Sequence, residues 1–175
     1  TDRLPTDNAI WLDYDHDGWL DIYTGNLEAD RAATQVRNRL YRNLGDGTFA
    51  DVTTAVGLDV AMNAPGGSNG GLLGADFNGD GWPDLYVGVY EAPNRLFLSD
   101  GSGGFTDATT DAIGDRGQAF GAAAGDFDND GDLDIFQAAG GGGAIGRSPL
   151  LRNDGQGRFE DALEAAGLSA LASAH

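Results

Sequence analysis

Three nine-residue segments carry the side chains best placed to do chemistry. They are Asp13-Tyr14-Asp15-His16-Asp17-Gly18-Trp19-Leu20-Asp21, Asp76-Phe77-Asn78-Gly79-Asp80-Gly81-Trp82-Pro83-Asp84 and Asp126-Phe127-Asp128-Asn129-Asp130-Gly131-Asp132-Leu133-Asp134. They align without gaps on the pattern Asp-x-Asp/Asn-x-Asp-Gly-x-x-Asp. In such a loop the side chains at positions 1, 3 and 5 converge on one centre and Gly at position 6 allows the sharp turn. The position 7 carbonyl can add a ligand, and the position 9 Asp closes the shell. All-oxygen ligands at this density favour Ca²⁺ over a transition metal, and over Mg²⁺, which keeps its waters and takes fewer carboxylates. An EF-hand would also need Glu at position 12 and flanking helices. Position 12 is Thr24, Val87 and Gln137, and the flanks are strand-like. An Asp-rich surface turn accounts for one such match but poorly for three in equivalent places of a repeat. Without a cation, the Asp side chains of the first loop would repel one another at close range.

The elements around the loops repeat as well. Small and apolar residues precede each loop, and Ile22-Tyr23, Leu85-Tyr86-Val87 and Ile135-Phe136 follow it. A third apolar stretch comes next (Arg39-Leu40-Tyr41-Arg42, Arg95-Leu96-Phe97-Leu98, Leu150-Leu151-Arg152), then a Gly-rich turn, then Phe-x-Asp at Phe49, Phe105 and Phe159. Short apolar runs bounded by Gly, Asn and Asp read as strands. Each unit is therefore expected to be four antiparallel strands, with the Asp loop joining the first two and the Gly turn the last two. The expected fold class is all-β, three four-stranded propeller blades, with residues 1–58 as blade 1, 59–114 as blade 2, 115–168 as blade 3 and 169–175 as a tail leading toward a further blade. Three is fewer than the roughly four to eight blades of a closed propeller, so the expectation is part of a larger propeller or an open array completed by neighbours. Only Asp161 to Ala172 has helix-forming composition. The repeated Phe49, Phe105 and Phe159 are expected in the core, and Trp19 and Trp82 against their own or a neighbouring blade.

Composition narrows the function. The 175 residues include 28 acids against 10 bases, a formal net charge of −18, with 29 Gly and no Cys. All the bases are Arg, and 24 of the acids are Asp. Such a chain has no phosphate-neutralising surface for nucleic acid and no attraction to anionic membranes. No apolar run approaches the roughly 18 residues of a spanning helix. Thiolate metal sites and disulfides are excluded, and so is a P-loop, which needs Lys. Gly66-Gly67-Ser68-Asn69-Gly70 matches a nucleophile elbow, but it lies in a Gly/Asn-rich loop, and the two His are His16 and His175. Gly141-x-Gly143-x-x-Gly146 matches a dinucleotide fingerprint, but Arg147-Ser148-Pro149 is a poor helix start. Carboxylate pairs for glycoside hydrolysis abound by count, yet calcium would push these groups away from the raised pKa of a general acid. No catalytic residues are assigned.

The three loops resemble the FG-GAP or VCBS repeat, the calcium-binding blade of integrin alpha-subunit propellers. The string Asn38 to Thr53, continuing to Val56-Gly57-Leu58, resembles the bacterial ASPIC/UnbV proteins related to cartilage acidic protein. The resemblance implies three Ca²⁺ sites. It assigns side-chain ligands to Asp13, Asp15, Asp17 and Asp21; to Asp76, Asn78, Asp80 and Asp84; and to Asp126, Asp128, Asp130 and Asp134. Trp19, Trp82 and Asp132 would supply carbonyls. The Asn78 site is expected to be the weakest, because ligand charge tunes affinity. The implied protein is non-enzymatic, calcium-binding and extracellular, cell-surface or periplasmic, acting in adhesion, recognition or assembly. Alternatives are a glycan-binding lectin, a subunit of an extracellular filament or envelope complex, and an accessory domain of a polysaccharide-degrading enzyme. A protein or glycan partner is expected at the variable connections opposite the Asp loops (Thr24 to Asn38, Tyr90 to Asn94, Ala138 to Pro149, Asp59 to Gly70), with Arg31, Arg37 and Arg39 as candidate contacts for an acidic group. Association with other chains or further blades is a further expectation.

Overall fold

In the computed structural model, residues 6–26, 37–60, 70–90, 92–114, 119–140 and 147–169 are described. They form twelve strands: β1 (Thr6–Leu12), β2 (Asp21–Asn26), β3 (Arg39–Asn43), β4 (Phe49–Asp51), β5 (Gly71–Ala75), β6 (Asp84–Gly88), β7 (Arg95–Ser99), β8 (Phe105–Asp107), β9 (Ala119–Gly125), β10 (Asp134–Ala139), β11 (Leu150–Asn153) and β12 (Phe159–Asp161). Each consecutive set of four makes one meandering sheet, antiparallel throughout. These sheets are the three blades. The first strands stand side by side, β1 next to β5 and β5 next to β9. Gly and Ala there let backbones meet. A Cβ on Gly71 would lie 2.8 Å from the Ala122 backbone nitrogen, so only glycine fits.

Because side chains alternate across a strand, blade 2 feeds two cores. Leu85, Val87 and Phe97 join Leu12, Tyr23 and Leu40 of blade 1 in one cluster. Tyr86 and Leu96 join Ile135 and Leu151 of blade 3 in another. Covered on both faces, β6 is buried along its whole length, which is why it reads as a continuous apolar run.

The blade contacts repeat in detail. The Phe105 ring lies on Tyr14 of the preceding Asp loop with centroids 6.3 Å apart, and Phe159 lies on Phe77 at 5.8 Å. The Phe105 N–H donates to the Val56 carbonyl at 2.9 Å, and the Asn153 amide to the Phe77 carbonyl at 2.7 Å. Two expectations need correction. Phe105 and Phe159 are buried, but Phe49 is 41 % exposed. No described blade precedes blade 1, so Phe49 has only Trp11 beside it. The stretch from Asp161 closes a single turn, with Ala166 N–H donating to the Ala162 carbonyl at 2.9 Å and Leu168 N–H to Leu163 at 3.0 Å. Gly167 at φ 76° ends it. The same turn ends blade 1, from Val52 to Leu58, so it belongs to the repeat and is no helix.

Candidate metal centres

Each Asp loop joins the first two strands of a blade, and its own hydrogen bonds shape it. The position 1 carboxylate turns back to accept N–H groups from positions 5 and 6. Asp13 accepts from Asp17 and Gly18 at 3.1 and 3.0 Å, Asp76 from Asp80 and Gly81 at 3.2 and 2.8 Å, and Asp126 from Asp130 and Gly131 at 3.2 and 3.1 Å. The position 5 carboxylate accepts from position 7, at 2.9, 2.8 and 3.0 Å for Asp17, Asp80 and Asp130. Gly18, Gly81 and Gly131 have φ between 87° and 100°, as the sharp turn requires. Position 4 is also left-handed, at His16 (55°), Gly79 (73°) and Asn129 (61°). The sequence hinted at this only through Gly and Asn in two of the three loops.

The position 9 carboxylates are almost wholly buried, and each ties the loop to the third strand. Asp21 accepts from Tyr14 and Asn43 at 3.1 and 2.8 Å, Asp84 from Phe77 and Ser99 at 2.8 Å each, and Asp134 from Phe127 and Asn153 at 3.1 and 2.8 Å. These bonds leave lone pairs for a cation, but they add a structural role that the motif alone did not reveal. Burial pushes the Asp84 carboxyl up to about 6 against the two hydrogen bonds that lower it. Burial raises Asp21 in the same way.

Carboxylate oxygens of Asp13, Asp15 and Asp21 lie within 4.8 Å of one another, as do those of Asp126, Asp128 and Asp130. Asp15 Oδ1 is buried with no hydrogen-bond partner. A buried carboxylate oxygen facing two other carboxylates suits a hard cation and little else. Asp17 stands apart, held below the usual carboxylate range by the Trp19 N–H and by Arg42. In the second loop the Asn78 amide donates to Asp80 at 2.9 Å. Trp19 and Trp82 lay their indoles over Gly45 and Gly101 of the Gly turns, and Asp132 reaches Gly155 in the same place. Trp82 also stacks on His16 of the preceding blade at 4.1 Å.

One participant escaped the sequence reading. Arg42 on β3 pairs with Asp15 at 2.7 Å and Asp17 at 2.8 Å. Arg152, in the same strand position of blade 3, lies 4.0 Å from Asp128. Blade 2 has Leu98 there, in the one loop whose position 3 is neutral. The arginine thus accompanies the extra Asp, which narrows the charge difference expected between the first and second loops. The signal was present in Arg-Leu-Tyr-Arg, but it became legible only once β3 lay beside the loop.

On the opposite side, Arg37 pairs with Asp59 and Arg39 lies 3.4 Å from Asp51. Their charge is already answered within the chain. Arg31 falls outside the described residues, as do most of the connections expected to vary.

The FG-GAP-like repeat profile matches residues 13–87 and 76–136. Over 102 residues the chain is 36 % identical to cartilage acidic protein 1 of Xenopus tropicalis and 35 % identical to that of Homo sapiens. Each match covers 57 % of this chain, and the chain spans only 15 % of each relative's length. Among solved structures, an Agrocybe aegerita lectin described as recognising non-reducing terminal N-acetylglucosamine is similar at 22 % identity and a TM-score of 0.48, over 87 % of this chain and 36 % of the lectin.

Proposed function

This chain belongs to the FG-GAP-like repeat family, and from that premise we propose that it is a non-enzymatic recognition or assembly protein whose blades are stabilised by calcium. The buried, unpartnered Asp15 Oδ1 facing Asp13 and Asp21 is the observation that carries the reading. Asp13, Asp15, Asp17 and Asp21 would hold the ion in the first loop with the Trp19 carbonyl. Asp76, Asn78, Asp80 and Asp84 would do so in the second with Trp82, and Asp126, Asp128, Asp130 and Asp134 in the third with Asp132. Bound Ca²⁺ supplies charge neutralisation, not reaction chemistry, and ligation of the folded state alone adds stability by mass action. Weak sites of this kind fill at extracellular calcium levels and not at cytosolic ones, which favours an extracellular, cell-surface or periplasmic setting. Recognition belongs to the connections on the side away from the loops.

Calorimetric titration of the decalcified chain with CaCl₂ tests the reading. Three equivalents of Ca²⁺ are expected to bind, with no comparable heat from MgCl₂. No calcium binding at millimolar concentration would overturn it.

A further inference from the structure

Most of the large apolar side chains exposed among the described residues lie on two faces. Trp11, Trp19, Leu20 and Phe49 are on the side of blade 1 turned away from blade 2, and Phe127 and Leu168 on the side of blade 3 turned away from it. Each occupies a position that is covered at the internal interfaces. Phe49 stands where Phe105 and Phe159 stand, and those close on Tyr14 and Phe77. Phe127 stands where Tyr14 and Phe77 stand, yet it is 42 % exposed. Leu168 stands where Leu58 is fully buried against blade 2. The two faces are the two halves of a contact the chain already makes twice. We propose that they close on each other between two copies of this chain, blade 3 of one copy docking head-to-tail on blade 1 of the other.

Side-chain size argues for a second copy over an unrelated apolar partner. Between blades 1 and 2, the large Ile10 and Leu12 face Gly74, where a Cβ would already lie 3.2 Å from Ile10. On the outer faces the sizes are exchanged. Trp11 takes the place of Gly74 and is 61 % exposed. Ala123 and Gly125, also exposed, take the places of Ile10 and Leu12. A Trp has no room opposite Ile and Leu at that spacing but has room opposite Ala and Gly. The loops agree. His16 covers Trp82 from the preceding blade, and the uncovered Trp19 would meet Asn129, which has the same left-handed backbone as His16. The contact is heterologous, so two copies of three blades can close it twice in a six-bladed ring, within the range of about four to eight that propellers use.

Light scattering of the whole chain in calcium-containing buffer, from low to high micromolar concentration, tests this. The expected mass approaches twice 18.1 kDa. Phe49→Asp and Phe127→Asp, at exposed positions and checked for folding by circular dichroism, are each expected to be monomeric alone. Mixed, they regain a dimer, because one intact face remains on each. Leu168→Asp serves as a second blade 3 variant and is expected to complement Phe49→Asp in the same way. A monomer at every concentration overturns the proposal. So does a dimer insensitive to these changes, or one broken by only one of the two Phe variants. None of these results depends on how many calcium ions bind, so failure here leaves the calcium reading standing.

Discussion

At the scale of single residues, the loops depend on carboxylates doing two jobs. Asp15 has an oxygen aimed at its neighbours with nothing to bond. Asp15→Asn should remove one ligand charge while keeping the side chain's shape. The expected outcome is a first-loop calcium affinity reduced about tenfold or more, since ligand charge sets affinity in such loops, with the other two sites unchanged in the same titration. Asp84 gives a pH prediction. Its folded pKa is about 6 against an ordinary 3.8, so the fold binds this proton more tightly than the unfolded chain does. Its contribution to stability is complete below about pH 4 and is lost as pH rises through about 6. Calcium-free protein should therefore melt at a higher temperature at pH 5 than at pH 7, and Asp84→Asn should flatten that difference. A calcium-free melt that rises steadily from pH 5 to pH 7 would contradict the assignment. The motif spelled out which residues form the loops. It did not show that position 9 ties the loop to the third strand, or that Arg42 answers Asp15 and Asp17. Both depend on a strand more than twenty residues away in sequence, and spacing within the loop carries no trace of it.

At the scale of elements, blades hold one another through one aromatic lock and a few backbone hydrogen bonds. Phe105 is buried on Tyr14 and its N–H reaches Val56. Phe105→Ala should destabilise the fold by about 3 kcal/mol, the cost of emptying a buried aromatic site. Phe49→Ala, at the equivalent but exposed position, should cost less than about 1 kcal/mol in the monomer. Denaturant unfolding of the two variants side by side measures the contrast, and equal losses would contradict it. The strands and their meander order were legible because Asp-Gly and Gly-rich turns punctuate short apolar runs so clearly. Two things were not legible. Repetition made Phe49 look like its counterparts, although a core position is made by the neighbour it meets. Ala-rich composition after Asp161 looked helical, although Gly167 ends the turn and Leu163 anchors it in a small core of its own with Leu150 and Ala162.

At the scale of the whole molecule, the charge of −18 is the feature to reconcile with a folded, three-blade array. Twelve of the acids lie in the three loops, on one side of the blades and in pockets of like charge. Arg42 and Arg152 offset only part of that. Three calcium ions would bring the net charge to −12, and they would act where the repulsion is strongest. Stability should then depend on the divalent ion far more than on ionic strength, because screening by monovalent salt reaches closely spaced, partly buried groups poorly. The most direct measurement is the thermal unfolding of the chain in millimolar CaCl₂ and again in excess EDTA at the same ionic strength. A melting temperature lower by tens of degrees in EDTA, and restored by added calcium but not by added NaCl, is the expected result. An identical melt in the two buffers would contradict the claim that calcium holds these blades.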